Sequence, residues 1–450
     1  MKKHPRPPKK SFFRSFDFYL QLFLAGGLAI ISENTFAENA KPEIFIRANQ
    51  IGYRPSDPKI ALAFAQESLP EKFMVVEAET QKVFVENDIK TIAGSWGKFT
   101  QHAELDFSEV KKPGKYFIRL GQTQSPVFAM GDGVLAELPD QLLEFMRQQR
   151  CGYNPWLDAV CHSFDGRTAY GPMTNGTYLN CSGGWHDAGD LLKYLLTSGN
   201  ATAQMLLAYQ MENEKVLARK ETRSATKKSE EKVEENPVEL KSIFADHFNE
   251  LGQSGSNGIP DILDEAKWGL DWMLKLHPAR DQLFHQVADD RDHHGWRLPQ
   301  NENVDYGWGE GKERVVYFAD GKPQGLKEFK SESTGVANLA GRYAAAMALA
   351  YQIWNDDERL GGFAKTCLRA AMEVYALGKT KEGVQQGNSY GAPYRYAETT
   401  WADDMEWGAA ELFRATSDAR YIADAKHYAQ LASTESWMGR EQTGHYQYYP

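Results

Sequence analysis

The chain is predicted to be multidomain, with an all-β sandwich followed by an all-α domain. Two observations carry this. Across residues 43–132, short runs rich in Val, Ile and Phe alternate with turn residues, the pattern of half-buried strands. Across residues 135–450, apolar side chains recur every three or four positions, the period of helices with one buried face. With 450 residues, 42% of them hydrophobic, the chain can bury more than one core.

Residues 1–37 stand apart from both domains. Lys2, Lys3, Arg6, Lys9, Lys10 and Arg14 make a basic start, residues 18–31 are apolar, and Thr35-Phe36-Ala37 ends on a small residue, as a signal-peptidase site does. Gly26 and Gly27 interrupt the apolar run, which is too short for a bilayer span. A signal peptide is therefore expected, giving a secreted or periplasmic protein with no membrane attachment after cleavage. An uncleaved anchor is the alternative.

The strand candidates follow in order: Ile44-Phe-Ile46, Ile60-Ala-Leu-Ala-Phe64, Phe73-Met-Val-Val76, Val83-Phe-Val85, Lys115-Tyr-Phe-Ile-Arg-Leu120 and Val127-Phe-Ala129. Pro55-Ser-Asp-Pro58 and Pro113-Gly114 break the chain between them. Roughly seven short strands in about 90 residues is the pattern of an immunoglobulin-like sandwich. No Cys lies in this span, so no disulfide joins its sheets.

Helical periodicity then marks residues 138–149, 191–210, 259–276, 335–354, 360–377, 401–415 and 421–432. Asn257-Gly-Ile-Pro-Asp261 is a helix start, with proline early and acids in the first turns. Residues 213–239 are dominated by Lys, Glu, Arg and Ser and are expected to form a solvated loop. Residues 278–333 read as a long loop between helices, with Arg291-Asp-His-His-Gly295 and Gly307-Trp-Gly-Glu-Gly311 inside it. Loops of that length on a rigid scaffold often line a site.

The formal charge is −10 and falls to about −14 once residues 1–37 are removed. That balance argues against nucleic acid as a partner and suits a neutral polysaccharide or oligosaccharide. The 11 Trp, 21 Tyr and 23 Phe agree, because aromatic faces stack on sugar rings, although many will be core.

The most informative stretch is Ser182-Gly-Gly-Trp-His-Asp-Ala-Gly-Asp190. It places Asp187 and Asp190 three residues apart, where a glycine-rich loop is expected to enter a helix. A helix N-terminus favours anionic side chains, and such a pair can hold and deprotonate a water. A lone Asp there would merely cap the helix; the second Asp and adjacent Trp185 favour chemistry. Trp185 either stacks on a sugar or packs beneath the loop.

These residues resemble the signature of glycoside hydrolase family 9, the inverting cellulases and related β-glucanases, which reads Gly-Gly-Trp-(His or Tyr)-Asp-Ala-Gly-Asp. Ala48-Asn-Gln-Ile-Gly-Tyr-Arg-Pro55 is similar to the module that often precedes the catalytic domain there, and the likeness continues through Ile259-Pro-Asp-Ile-Leu-Asp-Glu-Ala-Lys-Trp-Gly-Leu-Asp-Trp-Met273. The resemblance implies an (α/α)6-barrel domain over residues 135–450, with Asp190 as general base and Asp187 as its partner in positioning water. It implies no cofactor for catalysis.

Cys151, Cys161, His162 and His186 lie within 36 residues and offer four ligands for a structural zinc. A disulfide, which export would permit, and ordinary core packing are the alternatives. Tyr394, Tyr396 and Trp401 are candidates for sugar contact or for core.

An inverting hydrolase also needs a protonated carboxyl roughly 6.5–9.5 Å from the base. In the resembled family this is a Glu in an Asn-Glu motif near the C-terminus, and no such motif stands in the corresponding part of this sequence, which ends at Tyr446-Gln-Tyr-Tyr-Pro450. Glu398, Asp403, Asp404 and Glu406 are substitutes, with helix-surface or capping roles as the rival reading. The expectation is a helical domain incomplete at its C-terminus. Two functions follow: an inverting hydrolase of β-linked glucan, or a catalytically impaired relative that only binds carbohydrate.

Overall fold

The computed structural model describes residues 43–227, 244–393 and 397–435, in two compact units, Met1–Gly131 and Asp132–Pro450. The expected signal peptide, 1–37, lies outside the described residues, as do Tyr394 and Tyr396.

The first unit is all β: β1 (Ile44–Arg47), β2 (Ile60–Ala65), β3 (Lys72–Glu77), β4 (Val83–Asp88), β5 (Lys90–Ile92), β6 (Gln101–Asp106), β7 (Gly114–Leu120), β8 (Thr123–Gln124) and β9 (Phe128–Met130). One sheet runs β1-β2-β6-β5; the other runs β4-β3-β7-β8, with β9 also on β7, and all pairs are antiparallel. Alternation makes the sandwich. Ala61 and Ala63 of β2 and Leu105 of β6 share one core with Phe73 and Val75 of β3 and Tyr116, Ile118 and Leu120 of β7, each at every second position. The six expected strands are present. β5, β6 and β8 were not anticipated, because β6 carries only Ala103 and Leu105 inward among polar neighbours and the other two are very short.

The second unit has seven α-helices among its described residues: α1 (Leu138–Gln148), α2 (Leu195–Lys227), α3 (Asp261–Lys275), α4 (Ala337–Trp354), α5 (Gly361–Thr380), α6 (Ala402–Thr416) and α7 (Ala419–Glu435). Most begin or end within three residues of the periodicity. α2 does not. It starts four residues later than expected and runs to Lys227, through charged sequence expected to be a loop; Lys, Glu and Arg are good helix formers even where nothing apolar is buried. α4 is the hub: Ala337, Leu339, Ala340, Tyr343 to Ala350 and Trp354 are buried, and it packs against α2, α5 and α6. A helix apolar on nearly every side belongs in a core.

This unit is not purely helical. Six short strands interrupt it: β10 (Gly152–Asn154), β11 (Ala159–Cys161), β12 (Arg167–Ala169), β13 (Lys193–Tyr194), β14 (Phe284–Val287) and β15 (Val315–Phe318). β10 and β11 form a hairpin, and the rest form a sheet ordered β12-β15-β14-β13. Sequence periodicity missed them because they are two to four residues long and β14 and β15 are buried at every position, leaving no alternation. The sheet matters for the site. β13 pairs antiparallel with β14, Lys193 opposite Val287, so the segment just after Asp190 is joined to the one that leads to Asp290.

Candidate active site

The loop carrying the signature is held by one face of α3. Trp268 Nε1 donates to Gly184 O (2.9 Å), Trp272 Nε1 to Cys181 O (3.0 Å) and Lys275 Nζ to Ser182 O (2.6 Å). The Glu265 carboxylate accepts from Trp185 Nε1 (2.7 Å) and forks onto the buried Arg150 guanidinium (3.2 and 2.8 Å). Residues 265, 268, 272 and 275 fall on one helical face, so a single helix fixes Cys181, Ser182, Gly184 and Trp185. Gly184 has φ of +74°, and a Cβ there would lie 2.6 Å from the Trp272 ring; only glycine serves.

Trp185 is consequently buried, 4% exposed, with Glu265 on its nitrogen. It packs beneath the loop and is not a sugar platform. The helix-start expectation for the two acids also needs correction. α2 begins only at Leu195, and Asp187 and Asp190 sit on the turn before β13. Asp187 accepts the Thr197 hydroxyl from the first turn of α2 (3.0 Å). Asp190 is oriented from elsewhere: its Oδ2 lies 3.0 Å from His293 Nε2. Its Oδ1 has no protein partner among the described residues.

Asp190 lines a cleft of about 500 Å³ with Leu192, Tyr194, Asp290, Asp292, His293, Trp296, Asn388 and Ser389. Asp187 is not among the lining residues. Trp296 is 91% exposed, and its indole lies so close to Gly189 that a Cβ there would be 2.1 Å from the ring. An exposed indole beside a carboxylate is the surface a pyranose face stacks on. The long loop was expected to line a site and does, although neither His293 nor Trp296 was singled out.

Three chain segments meet here, locked by the buried Arg314 and the half-buried Asp290. Arg314 donates to Asp165 through a fork (2.9 and 2.8 Å), to Leu191 O (2.8 Å) and to Asp292 Oδ2 (2.8 Å). One guanidinium thus ties the residue after Asp190 to the residue before His293. Burial pushes the Asp292 carboxyl up to about 6 against the pull of Arg314. Asp290 accepts backbone N–H groups of Tyr390, Gly391 (2.9 Å) and Ala392 (2.8 Å), securing the third segment.

Trp401 does not reach the cleft lining. It sits at the start of α6, edge-on to Tyr428 at 5.9 Å, against the helical core. The substitute acids are elsewhere too: none of Glu398, Asp403, Asp404 and Glu406 lines the cleft. Asp404 is buried and pairs with Arg342 Nε at 2.5 Å; burial pushes its carboxyl up to about 8. That protonation state comes from helix packing.

On the other side of the signature loop the structure brings Cys151, Cys161, His162 and His186 together, all buried, with ligand atoms within 4.8 Å of one another. His186 Nε2 is 3.3 Å from His162 Nδ1 and 3.8 Å from Cys161 Sγ. A tetrahedral zinc with bonds of about 2.0–2.3 Å has ligand–ligand edges of about 3.3–3.8 Å, so the donor set fits. Burial raises the Cys151 thiol, but its hydrogen bond with Cys161, the Lys193 ammonium and His186 outweigh it and carry it well below the usual range, while Cys161 is raised as its partner. A buried pair of thiols beside two imidazoles is a donor set of the kind zinc takes. Glu302 stands 3.7 Å from His162 Nε2, beyond hydrogen-bond reach, and is itself paired with Arg297. All four cysteines are free thiols, and Cys181, beside the cluster in sequence, is raised to about 12 by burial.

A family model described as glycosyl hydrolase family 9 matches residues 136–448, and one described as cellulase N-terminal ig-like domain matches residues 41–125. A xyloglucan-specific endo-β-1,4-glucanase of Bacteroides ovatus is 26% identical over 93% of this chain and 65% of its own length. Endoglucanase D of Acetivibrio thermocellus is 26% identical over 89% of this chain and 56% of its own. The chain therefore spans less than two thirds of these relatives. A solved metagenome-derived family 9 endoglucanase superposes with TM-score 0.60 at 26% identity, covering 86% of this chain and 64% of that one.

Proposed function

Because the chain belongs to glycosyl hydrolase family 9, we propose that it hydrolyses β-linked glucan with inversion, after export, with Asp190 as general base. The observation that carries this is the state of Asp190 in the cleft: one carboxylate oxygen on His293, the other without a protein partner, and an exposed indole alongside. A free carboxylate oxygen can accept a proton from water as that water attacks the anomeric carbon. His293 fixes the direction of the lone pairs. Asp187, on the same turn but outside the cleft lining, accepts from Thr197 and so braces the turn that carries Asp190. Trp296 stacks on a ring of the substrate, and the neutral chain of sugars suits a cleft lined by three Asp residues.

The reaction also protonates the leaving oxygen from a second carboxyl. The other acids of the cleft are committed: Asp292 to Arg314 and Tyr306, and Asp290 to three backbone N–H groups. That commitment favours, as a second reading, a protein that binds glycan without turning it over. Incubation with a panel of neutral β-glucans, xyloglucan among them, distinguishes the two. Release of reducing ends is expected from at least one; binding with no release would select the second reading.

We further propose that the four-ligand cluster holds structural zinc. The metal would cross-link the hairpin of β10 and β11 to the signature loop. It takes no part in the reaction.

A further inference from the structure

Asn388 and Ser389 line the cleft, are 4% and 3% exposed, and each has a side-chain oxygen without a partner among the described residues. Neither was singled out by sequence. A buried acceptor left unpaired is costly, so such atoms in a native site call for a ligand.

Their orientation is fixed from below. Gln324 Nε2 donates to Phe318 O and Asp320 Oδ1 (both 2.7 Å), groups that only accept. Gln324 Oε1 must then face Asn388 Nδ2, 2.8 Å away. His285 Nε2 is a second acceptor for that amide at 3.3 Å, and burial holds this imidazole down to about 3, hence neutral. Gln286 grips the backbone of Asn388 on both sides, accepting from its N–H (2.7 Å) and donating to its C=O (2.9 Å). The amide of Asn388 cannot flip without losing these bonds. Its free atom is the carbonyl oxygen. Ser389 beside it offers a hydroxyl that can both give and take.

We propose that Asn388 and Ser389 form a subsite that reads free hydroxyl groups on one sugar unit of an uncharged glycan. The proposal rests on the glucan reading above and deepens it. Asn388 Oδ1 accepts a hydroxyl proton of the sugar, and Ser389 Oγ exchanges a hydrogen bond with the same or the neighbouring hydroxyl. The amide network beneath holds the pair in place before the sugar arrives, and Asp290 secures the segment just beyond it. Carboxylates of Asp190, Asp290 and Asp292 in the same cleft turn away acidic sugars.

Calorimetric titration with cellotetraose tests this in an Asp190→Asn background, which suppresses turnover and leaves binding to be read; wild type then refers to position 389. Ser389→Ala removes a hydroxyl that has no protein partner among the described residues, so the melting temperature is expected to stay within a degree of wild type. Affinity is expected to fall about three- to tenfold, the worth of one neutral hydrogen bond. If wild type binds and Ser389→Ala binds equally well, the subsite is wrong and the glucan reading survives. If wild type does not bind, the glucan reading falls and takes the subsite with it.

Discussion

Asp190→Asn is expected to lower turnover on β-glucan by roughly 10²–10⁴-fold while leaving glycan affinity nearly unchanged. The substitution keeps the size of the side chain and its capacity to bond His293, and removes only the basicity of the carboxylate. Arg314 still holds Leu191 O and Asp292, so the turn is not expected to move. Initial rates and a binding isotherm on the same preparation separate the two effects. Near-wild-type turnover would end the assignment of Asp190 as base, and an equal loss of affinity would make it a binding residue instead.

Loss of the metal is expected to cost more stability than any single change in the cleft. Binding of structural zinc is worth about 10–16 kcal/mol in small zinc-finger peptides. Even half of that, spread over a unit spanning Asp132–Pro450, corresponds to a fall in melting temperature of roughly 7–12 °C. Elemental analysis should find one zinc per chain, and chelation or Cys161→Ser should each remove it and lower the melting temperature together. A metal-free protein whose melting temperature ignores chelator would reject the site. Cys181→Ser gives the contrast: that thiol lies outside the ligand set, so zinc content should be retained.

Much of this molecule was legible in its sequence, for reasons that differ by element. The long helices α3 and α5 to α7 announced themselves because each hides one face and repeats it several times, and α4 because it is apolar on nearly every side. The sandwich strands did so where alternation was strong, as in β2 and β7, and not in β6, where two apolar residues carry the inner face. The signature acids stood out because glycine, tryptophan and aspartate are packed into nine residues. Their surroundings did not. Sequence placed Asp190 at a helix N-terminus, whereas β13 intervenes and His293, over a hundred positions away, orients it. Trp185 could be read as a sugar platform or as packing beneath the loop, because exposure cannot be read from residue type; Glu265 on a distant helix claims its nitrogen and decides for packing. Trp401 was misplaced for the same reason. Asn388 and Ser389 carry no local signal at all, because what marks them is a shortage of partners that only the folded chain defines.

The central claim is hydrolysis with Asp190 drawing a proton from water, and the configuration of the newly formed reducing end tests it most directly. Proton NMR spectra taken in the first minutes of digestion of a β-1,4-linked oligosaccharide resolve the two anomers before mutarotation mixes them. The account predicts that the α-anomer appears first. First appearance of the β-anomer would contradict it, because retention requires a carboxylate that attacks the sugar itself.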